Sequence, residues 1–255
     1  IASGRIKNII DCLDYFSWTY FFRRLIRNPT YYGLLNTEAD SVQEHLLQII
    51  HDTINDLEKA ECIIVDDSRN NFQPSVLGII AATYYLDYKS IGIFKKRLIS
   101  YDIDNDEGEI SDLVLLMSDA IEYSLLPVRH NEELLNAELA IKLPWDTSKM
   151  NMEDSHTKTY LLLQAHFYHI PLPISDYITD LKSVLDQAPR VLNGMIDVAS
   201  DSGFLELTLR LMRLSQMIFQ GLSEESSQLM QLPHITNENY HLFKEKNLAT
   251  IKQLR

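Results

Sequence analysis

Chain-breaking residues are scarce in this sequence of 255 residues, which holds 8 Gly and 8 Pro. Average usage of about 12% for the two together would supply roughly twice that number. The shortage favours long helices over a β-sandwich with many turns, and the 45% hydrophobic share is enough to build a packed core. Cysteine is scarcer still. Cys12 and Cys62 alone cannot form a disulfide framework, which excludes a small secreted scaffold.

Positive charge is also in short supply, because 23 Lys and Arg stand against 36 Asp and Glu, a net charge of −13. A protein that coats nucleic acid with uniform positive charge is therefore excluded, and any contact with a polyanion must be local. The longest uncharged run, residues 70–86, contains Asn, Gln, Pro and Gly and falls short of the ~20 apolar residues of a membrane span. We expect no membrane partner and a location in the cytosol, with the nucleus as the alternative.

The N-terminal third of the sequence predicts a small winged helix. Apolar spacing predicts one helix over residues 11–27, stopped by Asn28-Pro29, and a second helix that starts near Asp40 or Ser41 and ends at Lys59-Ala60. Ser41 and Glu44 are spaced as a capping box. The β-branched run 62–65 and a returning strand over 72–76 predict a hairpin. The alternative is a helical subdomain with one irregular loop.

The rest of the sequence predicts a helical bundle with short connections. The predicted helices are Gly78–Leu98, Ile110–Tyr123, Asn131–Leu143, His156–His169, Asp180–Ser200, Phe204–Leu222 and, after Pro233, Thr236–Lys246. We therefore expect a mainly α chain in three parts. A winged-helix domain covers 1–73, a multi-helix bundle covers 74–232, and 233–255 begins a helix-hairpin-helix element.

Motifs for catalysis or metal binding are missing from the sequence. It contains no P-loop, no G-x-S-x-G elbow and no H-E-x-x-H. An EF-hand loop counted from Asp102 would need Gly at its sixth and Glu at its twelfth position, where Glu107 and Leu113 stand. His156, His166 and His169 have no Cys or acidic partner at zinc-ligand spacing. We expect no catalytic residue, no metal site and no cofactor site in this chain.

One helix, residues 181–198, has two different faces. Its apolar seam consists of Leu181, Val184, Ala188, Val191, Met195 and Val198. The opposite face carries Ser183, Gln187, Arg190 and Gly194, with Lys182 and Asn193 beside it. Small residues, hydrogen-bond donors and a guanidinium suit the tracking of a phosphodiester backbone without base reading. The alternative is an ordinary solvated polar face, and Asp186 and Asp197 would repel phosphate.

Several phrases are distinctive as a set. They are LDYFSWTYFFRRLIRNPTYYGL from Leu13, LPVRHNEELLNAELA from Leu126, HTKTYLLLQAH from His156, VLDQAPRVLNGMIDVASDSGF from Val184, LSQMIFQG from Leu214 and LMQLPHIT from Leu229. In this order they resemble the C-terminal part of a Ski2-like helicase cassette, a winged helix followed by a Sec63 homology unit. The resemblance extends along essentially the whole chain.

Within this family, the phrases RRLIRNP, LPVRHNE, HTK and DYITDLKSVLDQA look closest to the helicase subunit of the activating signal cointegrator complex. Its fungal counterpart is the helicase of the ribosome quality control trigger complex. The spliceosomal helicase that unwinds U4/U6 RNA is the second choice. The pattern looks most like the C-terminal one of two tandem cassettes.

The resemblance implies a role for the two-faced helix. The family's bundle contains a ratchet helix that lines the exit path of the translocating strand, and it corresponds here to Asp180–Ser200. Arg190 falls on the family's basic, nucleic-acid-facing position. Together with the polar face, this implies nucleic-acid contacts by Lys182, Ser183, Gln187, Arg190, Asn193 and Gly194. Two departures from the family are Phe204, where a Trp usually follows the Gly, and Pro189, which costs about 3 kcal/mol inside a helix and kinks it.

The resemblance predicts a non-catalytic accessory segment of an ATP-dependent RNA helicase, which is inactive by itself. Its expected partners are the RecA-like motor domains of the same protein, where ATP and Mg would bind, and single-stranded RNA. Subunits of a ribosome-associated or cointegrator complex are further expected partners, and dissociation of stalled ribosomes or cointegrator-complex function is the expected process. The alternatives are a protein-interaction platform in a regulatory second cassette and the equivalent unit of the spliceosomal helicase. The acidic charge and the segment Tyr101–Glu109 favour the platform.

Overall fold

The computed structural model describes residues 1–34, 38–103, 109–248 and 250–254. It divides into two compact units, Ile1–Lys95 and Lys96–Arg255. The fold is mainly α-helical, as predicted, with a small winged helix and its β-hairpin preceding the bundle helices in the sequence. The predicted domain boundaries at residues 73 and 232 stay predictions.

The winged helix occupies the first unit. Its elements are the helices α1 (Ile9–Ser17), α2 (Tyr20–Arg27) and α3 (Ala39–Lys59) and the strands β1 (Ile63–Val65) and β2 (Phe72–Pro74). The strands pair antiparallel, with Val65 opposite Phe72. The side chain of Asp66 closes the hairpin turn by accepting hydrogen bonds from Asn71, Ser68 and the Asn70 backbone. These bonds, above all the one from the Asn71 side chain, lower the pKa of Asp66 to about 2.

The hydrophobic core of the winged helix has two parts. One part is formed by Leu25, Leu34, Val42 and Leu46, with Phe16, Phe21 and Phe22 packed against it. The other is formed by Ile50, Ile54, Ile63 and Phe72. Helix α3 supplies residues to both parts at intervals of four, which is the apolar spacing that predicts this helix.

Two local predictions in this unit are wrong. Residues 11–27 form two helices because the Thr19 hydroxyl accepts a hydrogen bond from the Phe22 N–H at 3.3 Å and starts α2 anew. The capping box at Ser41 is absent because α3 begins at Ala39, so Ser41 already lies in its first turn. The predicted stop at Asn28 and the predicted end near Lys59 are confirmed.

The predicted helix Gly78–Leu98 is also two helices, α4 (Val76–Tyr84) and α5 (Tyr88–Ile103). Tyr85 adopts the left-handed conformation with φ of 53° and ends α4. The carboxylate of Asp87 then accepts a hydrogen bond from the Lys89 N–H at 2.8 Å at the start of α5. The break therefore comes from local capping chemistry that apolar spacing does not report.

The second unit contains the remaining helices. They are α6 (Ile110–Ser118), α7 (Glu132–Ala140), α8 (Ser155–Tyr168), α9 (Ser175–Asp201), α10 (Leu205–Gln220) and α11 (Asn237–Glu245), with 3₁₀ turns at Ile121–Tyr123, Gln228–Gln231 and Ile251–Leu254. Each predicted helix has a counterpart, and α9 starts five residues earlier than predicted. Helix α8 is buried almost throughout and packs against α6, α7, α9 and α10. It is the centre of this unit.

Candidate nucleic-acid interface

Helix α9 presents a buried seam and a polar face, as its periodicity predicts. Val184, Ala188, Val191, Met195 and Val198 are buried, while Leu181 at the start of the seam is half-buried. The seam packs against α8 and α10. The helix continues through Pro189 from Ser175 to Asp201. The local effect of Pro189 on the helix axis stays a prediction.

The predicted strand-facing residues differ in their access to solvent. Lys182, Ser183 and Asn193 are exposed, whereas Gln187 and Arg190 are half-buried. Gly194 is buried within the packed part of α9. The Ser183 hydroxyl donates a hydrogen bond to the Thr179 carbonyl oxygen at 3.1 Å, inside the helix itself. The accessible polar face is therefore narrower than the periodic pattern suggests, and Gly194 does not extend it.

Arg190 and Gln187 form a pair on this face. The guanidinium Nε of Arg190 donates to Oε1 of Gln187 at 2.6 Å, a contact between residues one turn apart. The bond joins the guanidinium to a side chain on the same helix, and a planar guanidinium has the donor geometry that phosphate oxygens accept. Asp186 is exposed and Asp197 is half-buried beside the face, so the positive charge of Arg190 has acidic neighbours.

An ion-pair network centred on the buried Lys158 holds the N-terminal half of α9. Lys158 on α8 is fully buried and donates to Glu132 at 2.6 Å, to Asp180 at 2.7 Å and to the Pro127 carbonyl oxygen at 2.9 Å. The guanidinium of Arg129 completes the network with bidentate hydrogen bonds to the Asp180 carboxylate, at 2.7 and 3.1 Å. The network therefore joins α7, α8 and the segment before α7 to the start of α9.

Two further contacts support the network. The Lys158 ammonium lies 4.5 Å from the centre of the Tyr177 ring, a cation–π contact in a buried setting. The Tyr177 hydroxyl donates to Oδ1 of Asn136 at 2.6 Å, and Asn136 donates to the Met152 carbonyl oxygen at 2.8 Å. Each buried polar group in this set has a partner, which is the condition under which buried charges are tolerated.

The carboxylates of the network remain ionised. Burial by itself would raise the pKa of Glu132, but hydrogen bonds from Lys158 and Arg129 outweigh it and lower that pKa below its ordinary value of 4.5. Burial and hydrogen bonds oppose each other in the same way at Asp180, where the bonds from Arg129 and Lys158 lower the pKa below 3.8. The same contacts raise the pKa of Arg129.

Sequence reasoning missed this network, although its residues lie inside phrases singled out above. LPVRHNE supplies Arg129 and Glu132, HTK supplies Lys158, and DYITDLK supplies Tyr177 and Asp180. A signal was present, because Lys158 lies two residues before Tyr160–Leu163, a run of apolar helix residues that would be buried. What the sequence lacks is any indication of which distant carboxylates meet it.

Two of the three histidines considered as metal ligands are engaged with backbone groups. His156 Nδ1 lies 2.8 Å from the Ser118 carbonyl oxygen, and His166 Nε2 lies 2.9 Å from that of Ile218. Burial lowers the pKa of His166 and favours its neutral form. Within residues 1–34, 38–103, 109–248 and 250–254, no group of three or more His, Cys, Asp or Glu is arranged to hold a metal ion.

No helix in the described part of the chain combines the length and the apolar character that a membrane crossing requires. The acidic segment that favoured the platform alternative falls mostly on residues 104–108, which lie outside the described residues.

Comparison with known proteins identifies two domains in this chain. A Sec63 Brl domain matches residues 74–253, and a winged helix-turn-helix domain matches residues 1–67. Human activating signal cointegrator 1 complex subunit 3 is 44% identical over 96% of the chain, and its counterpart in Gallus gallus is 42% identical over the same share. The DExH-box ATP-dependent RNA helicase DExH14 of Arabidopsis thaliana is 38% identical over 100%.

The human U5 small nuclear ribonucleoprotein 200 kDa helicase is 34% identical over 98% of the chain. The chain spans only 11% of that protein and of the cointegrator subunits, and 12% of the Arabidopsis helicase. These matches confirm the family that the phrases along the sequence indicate. The chain belongs to the family of Sec63 Brl domains that follow a winged helix-turn-helix domain in Ski2-like RNA helicases.

Proposed function

We propose that this segment is a non-catalytic part of an ATP-dependent RNA helicase in which α9 lines the path of the translocating RNA strand. The polar face of α9 carries this proposal. Lys182, Ser183 and Asn193 are accessible there, and the Arg190 guanidinium donates a hydrogen bond to Gln187. Donors and a cation on one rigid helix suit contact with a phosphodiester backbone.

The charge of the chain supports a contact of limited extent. With a net charge of −13, most of the surface repels RNA, and only a local group of donors can hold a strand. A weak, narrow contact suits a strand that must move along the helix after each step of the motor. Binding spread over many cations would instead hold the strand in place and depend steeply on salt.

The winged helix has a surface that suits the docking of another protein domain. On α2, Tyr20, Arg23, Arg24 and Arg27 recur at helical spacing and are all exposed, and Trp18 before them is 82% exposed. The three arginines have no carboxylate partner in the described part of the chain. Trp, Tyr and Arg are the residues that dominate protein interfaces. This stripe supports the proposal that the winged helix braces the RecA-like motor domains, which would hold ATP and Mg.

The same stripe favours a second candidate function, a protein-interaction platform in a regulatory cassette. The relatives' names, a cointegrator complex subunit and a U5 ribonucleoprotein helicase, both describe members of assemblies. We propose dissociation of stalled ribosomes or cointegrator function as the process, with subunits of such a complex as partners and the spliceosomal unit as the alternative. We propose the cytosol as the location, with the nucleus as the alternative.

Photo-crosslinking of the parent helicase with single-stranded RNA tests the main proposal. We expect crosslinked peptides from residues 175–201 during ATP hydrolysis, and fewer of them when Arg190 is replaced by Glu. Crosslinks that never map to α9, together with loss of protein partners when Arg23, Arg24 and Arg27 are replaced by Glu, would favour the platform instead.

A further inference from the structure

The second unit contains a cavity of about 270 Å³ with aromatic and acidic walls. The half-buried Trp145 and Tyr168 supply the aromatic surface, and three exposed carboxylates also line the cavity, those of Glu109, Glu224 and Glu225. The pKa of Tyr168 is raised by burial and then by the charges of Glu225 and Glu224, so these carboxylates lie close to the aromatic wall. The cavity shares no residue with helix α9.

The two aromatic rings of the cavity are held in place. Their planes meet at 88° with 5.9 Å between the ring centres, and a side-chain hydrogen bond joins Trp145 to Tyr168. Trp145 also packs against Tyr160 and Phe167, whose ring centres lie 5.9 and 6.2 Å from its own. Aromatic rings attract cations electrostatically, so a fixed pair of rings suits a positively charged group.

The charge around the cavity stays negative when the ion-pair partners of its residues are counted. Arg210 also lines the cavity, and its guanidinium lies 3.3 Å from the carboxylate of Glu206. Glu224 lies 4.0 Å from Arg213 in an exposed pair, which contributes little. With Glu206 and Arg213 included, four carboxylates stand against two guanidinium groups.

This combination favours an organic cation over other ligands. The surplus of carboxylates repels a phosphate group, and an apolar side chain would cover charged groups without pairing them. A metal ion needs converging ligands, and in the described parts of the chain no three or more His, Cys, Asp or Glu are arranged in that way. An ammonium or guanidinium group on an aliphatic stem can contact both the rings and the carboxylates.

We propose that this cavity receives one basic side chain, Arg or Lys, from a protein that binds this segment. The proposal rests on the second candidate function, the interaction platform, and adds a contact and a partner chemistry to it. The bound cation lies among Trp145, Tyr168 and Glu225, and its stem contacts the apolar lining at Ile110 and Met217. The net charge of −13 extends the attraction beyond the cavity, which favours the basic surface of a protein over an isolated cation.

Nuclear magnetic resonance of the Trp indole groups tests the cavity directly, with blocked Ala-Arg-Ala and Ala-Lys-Ala tripeptides as probes. Trp145 reports on the cavity, and Trp18 in the first unit is the internal reference. We expect saturable shifts of the Trp145 resonance, and at least about 10-fold weaker binding when citrulline or norleucine replaces the basic residue, because a charged hydrogen bond is lost. Equal binding of the neutral peptides, or no shift at Trp145, would overturn the proposal. Tighter binding of spermidine than of either basic peptide would identify a free polyamine as the ligand and would also overturn it.

Two charge-neutralising variants separate the cavity from the general acidity of the chain. Glu225→Gln removes a carboxylate of the cavity, and Glu138→Gln removes the same charge from an exposed position on α7. We expect Glu225→Gln to weaken binding of the Arg peptide by about 3- to 10-fold and Glu138→Gln to leave it unchanged. Urea midpoints check that both variants fold. Equal affinities of the two variants would show that the peptide responds only to overall charge, which contradicts the proposal.

The purified complex of the parent helicase distinguishes failure of the cavity from failure of the platform function. We expect the double variant Glu224→Gln with Glu225→Gln to raise the dissociation constant of one partner subunit by about 3- to 10-fold. If only the replacement of Arg23, Arg24 and Arg27 by Glu weakens a subunit, the platform stands and the cavity proposal is wrong. If neither variant weakens any subunit, the platform and the cavity proposal are both wrong.

Discussion

Lys158 Nζ lies 2.7 Å from Asp180 Oδ2, and the two side chains are 0% and 5% exposed. This buried ion pair connects the central helix α8 to α9 one turn before Ser183, the first residue of the candidate strand-facing surface. A surface side chain on α9 can therefore keep its position because a buried pair fixes the helix below it. The fixed position of α9 depends on charges that are costly to expose and costly to leave unpaired.

Replacement of Lys158 by Met should destabilise the second unit by about 1–3 kcal/mol, because Glu132 and Asp180 would keep the partly exposed Arg129 but lose the buried cation that they share. The measurement is urea unfolding followed by tryptophan fluorescence. The chain has two Trp residues, so in a Trp18→Phe background the signal comes from Trp145, which packs against Tyr160 and Phe167 in this unit.

The matched control adds Glu132→Gln and Asp180→Asn to Lys158→Met and so removes both buried carboxylates together with the lysine. We expect this triple variant to recover part of the lost stability, because no unpaired charge remains buried. Equal midpoints for the single and triple variants would show that the loss comes from packing rather than from uncompensated charge.

The network also predicts acid sensitivity of the second unit. The pKa values of Glu132 and Asp180 are lower in the folded protein than the ordinary values of 4.5 and 3.8. As pH falls below those ordinary values, the unfolded chain binds protons before the folded one, so the stability from these groups is lost as pH approaches their folded pKa values. Above pH 5 this contribution should be complete and constant.

This expectation is checked by acid titration of the unmodified chain and of the triple variant, with unfolding followed by Trp145 fluorescence. As the pH falls below 5, the free energy of unfolding of the unmodified unit should decrease more steeply than that of the variant, which lacks both carboxylates. A variant that shows the same steepness would mean that other acidic groups cause the acid unfolding.

Two glycines in the first unit offer a matched pair of substitutions. A Cβ on Gly78 would overlap the Cys62 carbonyl oxygen, so Gly78→Ala forces α4 away from the chain before the hairpin. A Cβ on Gly92 meets the Ala60 side chain at 3.6 Å, an ordinary contact. We expect Gly78→Ala to destabilise by about 2 kcal/mol or more, and Gly92→Ala to stabilise by about 0.5–1 kcal/mol.

Thiol labelling in a Cys12→Ser background reports this difference, because Cys62 is buried and its pKa is raised to about 11, mainly by burial. The Gly78→Ala variant should expose Cys62 and label faster, whereas Gly92→Ala should label at the same rate as the parent chain or more slowly. Similar rates for the two variants would contradict the close approach at Gly78.

Pro189 gives a prediction about the strand-facing helix itself. Proline has no N–H, so it cannot complete the hydrogen bond to the residue four earlier in α9, and its ring disturbs the preceding turn. Pro189→Ala should therefore stabilise the second unit by about 1–3 kcal/mol. The Trp145 urea midpoint measures it. A lower midpoint would mean that the surrounding packing requires the proline.

The spacing of apolar residues was enough to predict which side of α9 is buried. Val184, Ala188 and Met195 repeat at helical intervals, and all are buried. Periodicity predicts that Gly194 lies on the polar face, but Gly194 is buried. Helix α9 packs against both α8 and α10, so more of its circumference is buried than the single apolar seam. How much of a helix circumference is buried depends on the number of helices packed against it, and the sequence of the helix alone does not give that number.

The ion-pair partners of Lys158 and Arg129 could not be predicted from the sequence either, because they too depend on which helices pack together. Lys158 meets carboxylates 26 and 22 residues away, and Arg129 meets one 51 residues away. A charge embedded in an apolar helix indicates that some partner exists, but the partner's identity depends on how the helices pack. The breaks at Thr19 and Tyr85 were missed because capping and a left-handed residue override apolar spacing locally.

The coupling between strand movement and ATP hydrolysis tests the central claim most directly. In the parent helicase, Arg190→Glu reverses the charge on the candidate strand-facing surface, and Lys142→Glu reverses that of an exposed cation elsewhere in the same unit. We expect Arg190→Glu to lower the RNA unwinding rate per ATP hydrolysed by about 10-fold, the worth of one charged hydrogen bond. Lys142→Glu should leave this ratio unchanged. An unchanged ratio for Arg190→Glu, with the Trp145 unfolding midpoint intact, would contradict a strand path along α9.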